Sequence, residues 1–297
     1  NSSGIAAYAA SNVGFAIPSY NISVLINDIS KNKINKIVKT PFFGCKFVNC
    51  NIDCLLKENI DKKDCGIIVS NVIEDTPISN AGLKDGDILL SFNNNDIDNY
   101  GESKVSWSSE KEYIGDTIKR HVISDELPIS YYSIANKKTI NTKINFSIYK
   151  EFNITTLFPK FENVDYEIFG GMIFMDLCKN HLTLYDNSNV LNLTNYNLSK
   201  NQRKKCVIVS NIIKGSSISK LENLMPGDLV KKINNKEINS LQDFRKVINS
   251  LSINDYFTIV FKSGIITCLA MKTIVNESDF LSKEYTFELS KTIKKLL

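Results

Sequence analysis

The chain has 297 residues, of which 43% are apolar, 10% aromatic and 23% charged, the composition of an ordinary globular protein with room for about two domains. Its net charge of +4 comes from 36 basic and 32 acidic residues, with no clustered basic patch, so neither a nucleic-acid nor a membrane partner is expected. Collagen-like, disordered and disulfide-stapled classes are excluded, and no apolar run reaches the roughly 18 residues of a membrane-spanning helix.

Read along the chain, Gly4 to Ala9 is a short strand, and Asn12 to Pro18 a turn and a second strand stopped by proline. Two strands make no core, so the chain reads as starting inside something larger. From Ser19 to about Ile29, Ile22, Leu25, Ile26 and Ile29 take the i, i+3, i+4, i+7 spacing of one helix face. Lys31 to Lys39 is a polar, basic linker.

A mixed domain begins near Thr40. Phe42 to Phe47 is a strand entered through Gly44, Asn51 to Asn59 forms a short helix, and Cys65 to Val72 is a buried strand. Pro77 to Ala81 is a helical turn closed by Gly82, and Gly86-Asp87 turns into the strand Ile88 to Phe92. A helix over 110–122 and strands at Ile129 to Ile134 and Thr139 to Ser147 complete the unit. The same order then recurs. Phe169 to Phe174 matches the glycine-entered strand, Cys206 to Ile212 matches Cys65 to Val72, and Pro226 to Val230 matches Asp85 to Leu89. Two copies about 140 residues apart mean two related domains and no solenoid. A final helix from Ser278 is expected to put Leu281, Tyr285, Leu289, Ile293 and Leu296 on one face.

Seven cysteines without a Cys-x-x-Cys pair favour free thiols in a reducing intracellular compartment, the alternative being an extracellular protein with one odd thiol. Cys45, Cys50, Cys54 and Cys65 are the one conceivable metal cluster, but their spacing is irregular, and neither metal nor cofactor is expected. The 35 Asn reflect a compositional bias, so single Asn residues are given no weight. His121 and His181, the two histidines, read as capping or partly exposed; His121 could also reach a ligand. Trp107 reads as packed on a loop.

The string Asp75 to Leu89, DTPISNAGLKDGDIL, strongly resembles the PDZ signature of the HtrA/Deg (DegP-like) serine proteases. Phe42-Phe43-Gly44-Cys45 stands where that family carries its carboxylate-binding loop, and Phe169-Gly170-Gly171-Met172 is the second copy. Gly4 to Ala6 and Asn12 to Pro18 resemble the last strands of the family's chymotrypsin-like protease domain. The resemblance implies a mostly β, α+β fold. Residues 1–38 would be a protease remnant with a linker helix, 39–157 a first PDZ-like, partly open β-barrel, and 158–297 a second with a C-terminal helix. The insertion between the first strands of the second copy points to the eukaryotic, plant-type Deg branch.

The family's nucleophile loop and the hairpin after it have no counterpart here, and Asn1-Ser2-Ser3-Gly4 only imitates its letters. Two histidines and no nucleophile loop assemble no catalytic triad. The resemblance implies that a parent endopeptidase, a homo-oligomer acting in protein quality control, does the chemistry. Its PDZ units would capture unfolded or hydrophobic C-terminal peptides, with Phe42, Phe43, Gly44 and Cys45 supplying the loop, Ile114 and Ile118 the side-chain pocket, and Phe169, Gly170, Gly171 and Met172 a second loop. The rival reading is a noncatalytic PDZ scaffold that binds protein C-termini.

Overall fold

The computed structural model describes residues 19–32, 40–51, 53, 66–147, 150–185, 191–221 and 224–297, and divides the chain into two units between Lys150 and Glu151. The strands read before Pro18, residues 33–39 of the linker and most of the helix read over 51–59 lie outside the described residues. No described helix is long and apolar enough to cross a membrane.

The first unit starts with α1 (Ser19–Asn32), where Ile22, Leu25, Ile26 and Ile29 are all exposed. Next come β1 (Lys46–Val48), β2 (Ile67–Ser70), α2 (Pro77–Asn80), β3 (Ile88–Phe92), β4 (Asn95–Asp96), β5 (Glu102–Ser103), β6 (Glu112–Tyr113), α3 (Ile114–Ile118), β7 (Glu126–Ser133) and β8 (Lys138–Asn145). An open antiparallel sheet runs β1-β2-β3-β7-β8, and β4 folds back on β3. Asn93 and Asn94 make that turn with φ of 49° and 64°. Both central residues of a two-residue hairpin of this hand need positive φ, which Asn tolerates better than other non-glycine residues. Strand alternation, shifted in β3 by a bulge between Leu89 and Ser91, sends Ile67, Val69, Leu89, Phe92, Ile129, Tyr131 and Ile144 to one core, closed by Phe43, Ile114, Ile118 and Phe146. Burying each large apolar side chain contributes roughly 1.5–3 kcal/mol.

The second unit contains β9 (Glu167–Phe169), β10 (Met172–Asp176), α4 (Lys179–Leu184), α5 (Leu191–Thr194), β11 (Val207–Ile212), β12 (Val230–Ile233), β13 (Lys236–Glu237), α6 (Leu241–Ile248), β14 (Tyr256–Phe261), β15 (Ile266–Ala270), α7 (Met271–Tyr285) and α8 (Lys291–Leu296). Its sheets are also open: β11-β10-β9 and β13-β12-β14-β15. Ser240 caps α6 by accepting from the Asp243 N–H at 3.2 Å, and the helix buries Leu241, Phe244, Val247 and Ile248.

The repeat extends to single hydrogen bonds. Val69 donates its N–H to Asp87 O at 2.9 Å and its carbonyl accepts from Gly86 N–H at 2.9 Å; Val209 does the same with Asp228 at 2.9 Å and Gly227 at 2.8 Å. The carbonyls of Gly44 and Gly171 accept from Ile73 and Ile213 at 2.9 and 2.8 Å. The Gly-Asp pair recurs because its aspartate is buried and answered by backbone: Asp87 accepts from Lys84 N–H and Ile134 N–H, and Asp228 from Met225 N–H.

The mostly β, partly open architecture is as expected and takes the form of open sheets. Two expectations change. The helix expected over 110–122 is only α3, because Glu110 to Glu112 run into the β5–β6 ribbon and the chain turns after Ile118. The single C-terminal helix is two: Thr286 caps α7 at φ 55°, and α8 restarts at Ser290, which accepts from the Ile293 N–H at 3.2 Å. Both helices bury residues in one core, so periodicity continued across the break.

Candidate peptide-binding groove

The first loop is built around Gly44. Its φ is +99°, and a Cβ there would run into the Thr76 side chain, so glycine is required on both counts. Thr76 is itself fixed, donating from Oγ1 to Ile73 O at 2.5 Å. Phe43 is buried with its ring against Phe47, Phe92 and Phe146 at 5.4, 5.9 and 6.2 Å. The carbonyls of Phe43 and Gly44 turn inward, to the Ile78 and Ile73 N–H groups. Among the described residues, no acceptor meets the amide N–H of Phe43, Gly44 or Cys45.

Strand β1 then presents an edge. Val69 spends its N–H and C=O on the β3 side, so its neighbours Ser70 and Ile68 face β1. Opposite them, Lys46 and Val48 bond to β2, and alternation turns the N–H and C=O of Phe47 away from the sheet. Since β1 ends the sheet order, that side is open to strand addition. Phe47 was not singled out from the sequence. Its signal is the period of two, counted from the loop residue Cys45.

The helix α3 follows in the chain. Ile114 and Ile118, one turn apart, are buried in the core that contains Phe43. Tyr113, exposed at the start of α3, is near enough to Cys45 for burial and the thiol together to raise its phenol pKa. Burial, with Asp85 nearby, pushes the Cys45 thiol up to about 12. Cys45 is therefore protonated at neutral pH. Iodoacetamide at pH 8 should alkylate exposed Cys268 well before Cys45, as read by peptide mass spectrometry; equal rates would contradict the burial.

The second loop departs from the open loop expected at Phe169, Gly170, Gly171 and Met172. Gly170 and Gly171, at φ 57° and 73°, form a two-residue hairpin turn in which Phe169 faces Met172, and β9 returns along β10 with Ile168 opposite Ile173 and Glu167 opposite Phe174. Gly171 corresponds to Gly44: a Cβ there would run into Ser216 as one at Gly44 would into Thr76. The outer edge of β10 is thus occupied by the chain itself.

The remaining candidates take structural places. His121 pairs through Nδ1 with Asp125 at 3.1 Å and stands edge-on to Phe92. His181 lies on α4. It is buried, and its Nδ1 accepts from the Cys178 N–H at 3.2 Å, a capping role. Trp107 is 43% exposed, with the Arg120 guanidinium 4.7 Å above its ring. Cys45 and Cys50 sit in separate clusters, and Cys54 and Cys65 lie outside the described residues.

Comparison with known proteins agrees with the repeat. Residues 41–144 and 160–290 each match a family model described as a PDZ domain. A probable periplasmic serine endoprotease DegP-like of Marinomonas sp. (strain MWYL1) is 33% identical over 90 residues, 30% of this chain and 18% of the relative. One of the same description from Rickettsia prowazekii (strain Madrid E) is 26% identical over 243 residues, 79% of this chain and 40% of the relative. The chain therefore spans less than half the length of these relatives. Among solved structures, the HtrA-type protease AlgW with decapeptide aligns at 18% identity and TM-score 0.32, covering 48% of this chain and 38% of that one. Two matched domains in tandem, with one fold order and one set of hydrogen bonds, make the chain a pair of PDZ domains that over about four fifths of its length is similar to DegP-like serine endoproteases.

Proposed function

We propose that the first domain captures apolar C-terminal peptides by strand addition to β1, and that it does so as the substrate-binding, regulatory part of an HtrA-type serine endopeptidase working in protein quality control. The observation that carries this reading is the run of N–H groups at Phe43, Gly44 and Cys45, which meet no acceptor among the described residues and lead directly into the outward N–H and C=O of Phe47. Converging amides answer a carboxylate, and the strand edge answers the residues before it. The groove residues are Phe42, Phe43, Gly44 and Cys45, with Ile114 and Ile118 beneath. The plant-type Deg branch and a homo-oligomeric parent belong to the same proposal; support for the branch is the insertion over 177–206, which holds α4 and α5 between β10 and β11.

Calorimetric titration with one apolar peptide, once with a free terminus and once amidated, tests the loop. The amide keeps the shape and the strand pairing and removes the charge. Affinity should fall by about 1.5–3 kcal/mol, the size of a lost charge-assisted hydrogen bond. Equal affinities, or no binding across a library of apolar termini, would make the loop a structural turn.

A further inference from the structure

The two grooves differ in one respect, and that difference concerns what fills them. In the first domain the residues before the loop are Thr40, Pro41 and Phe42, which form no strand, and a proline has no N–H to give to a ladder. In the second, the residues before the loop are β9, paired to the edge of β10 that corresponds to the open edge of β1.

We propose that β9 is a tethered ligand of the second domain: Glu167, Ile168 and Phe169 fill its strand-addition site, and an external apolar C-terminus enters only when this arm is released. The inference rests on reading both domains as strand-addition sites. Polarity supports it first. A peptide running antiparallel to β10 brings its last residue to the loop in front of Met172, and β9 runs that way and ends there with Phe169. Burial supports it second. The Phe169 ring is fully buried, its centroid 5.0 Å from that of Phe257 and 6.2 Å from that of Phe244 on α6. A terminal side chain of a bound peptide would occupy this place, between β10 and the helix. Where a free ligand would show its carboxylate, Phe169 continues into Gly170.

The third support is a clamp from α6. Arg245 donates from Nε to Glu167 at 2.8 Å, from its two terminal nitrogens to Asp165 at 2.9 and 2.7 Å, and to Tyr166 O at 2.9 Å. A fork matched to a carboxylate and a carbonyl fixes the arm by geometry as well as charge. A cavity of about 400 Å³ is lined by Ile168 of β9 together with Ile248 and Leu289. It gives the arm space to move into and a peptide a way to approach.

The test uses the whole chain and an apolar peptide with a free carboxylate and a benzophenone side chain. In the wild type, photo-cross-links should map to the first domain, around 42–48 and 113–118, and not to 172–176 or 241–248. Arg245→Gln removes the clamp, and Glu167→Pro removes the N–H that faces Phe174. Each should speed hydrogen exchange of 165–169 by roughly tenfold or more and add cross-links at 172–176 and 241–248. Wild-type cross-links in those two segments would overturn the proposal. So would arms that exchange no faster in both variants, or freed arms that admit no peptide. Absence of cross-links at 42–48 would instead count against the first-domain reading, and the second-domain result is scored separately from it.

Discussion

Phe244→Ala should lower the stability of the second domain by about 3–5 kcal/mol, the range for truncating a buried Phe. Phe244 is fully buried on α6, with its ring 4.3 Å from Phe174, 6.2 Å from Phe169 and 6.3 Å from Phe257. It is the ring that touches all three others, so its removal opens a void that none of them can close without losing its own contacts. The core it belongs to consists of second-unit residues. Trp107, the one Trp of the sequence, lies in the first unit and gives a separate optical signal. Scanning calorimetry should show one transition moved down, while the transition followed by Trp107 fluorescence stays. A Trp107 transition lowered by the same amount would mean that the cores do not melt independently.

The second large effect is expected at Gly44. Gly44→Val forces a β-branched residue to φ +99° and pushes its Cβ into Thr76. Left-handed backbone costs roughly 1–2 kcal/mol and overpacking roughly 1–3 kcal/mol more, so the first domain should lose about 2–5 kcal/mol and its peptide affinity with it. Gly86 supplies the control. Its φ is +92°, yet nothing lies within 4 Å of a Cβ built there, so Gly86→Val carries the backbone cost without the collision. Urea unfolding of the two variants separates the effects. If both lose the same amount, the Thr76 contact yields freely and the loop is less rigid than its geometry implies.

How much of this was legible depended on the range of the signal. The Gly-Asp turns and the matching strands Cys65 to Val72 and Cys206 to Ile212 were readable because their causes are local: a turn glycine, a buried aspartate, a period of two. The true extent of α3 was not, because Glu112 and Tyr113 are claimed by a partner strand nine to eleven residues earlier in the chain, at Ser103 and Glu102. The break at Thr286 was hidden because apolar spacing continued past it. For Phe169 to Met172, the family likeness outweighed a local rule that pointed the other way: two glycines between apolar runs signal a tight hairpin. The asparagines deserved more weight than composition suggested. Asn71, Asn93, Asn94, Asn234 and Asn235 all take positive φ, so part of an apparent bias does the work that glycine does elsewhere.

Strand β1 has three residues, and its brevity bears on solubility. An unpaired edge invites the edge of another molecule, and a long flat one seeds aggregation. Here the open stretch offers the outward groups of Phe47 alone, preceded within a few residues by Pro41 and flanked by exposed Lys46. Two chains meeting edge to edge would gain too few hydrogen bonds to stay together, whereas a peptide terminus bound as proposed would also gain the loop amides. The first domain can thus keep an edge exposed for a guest without becoming a template for its own copies.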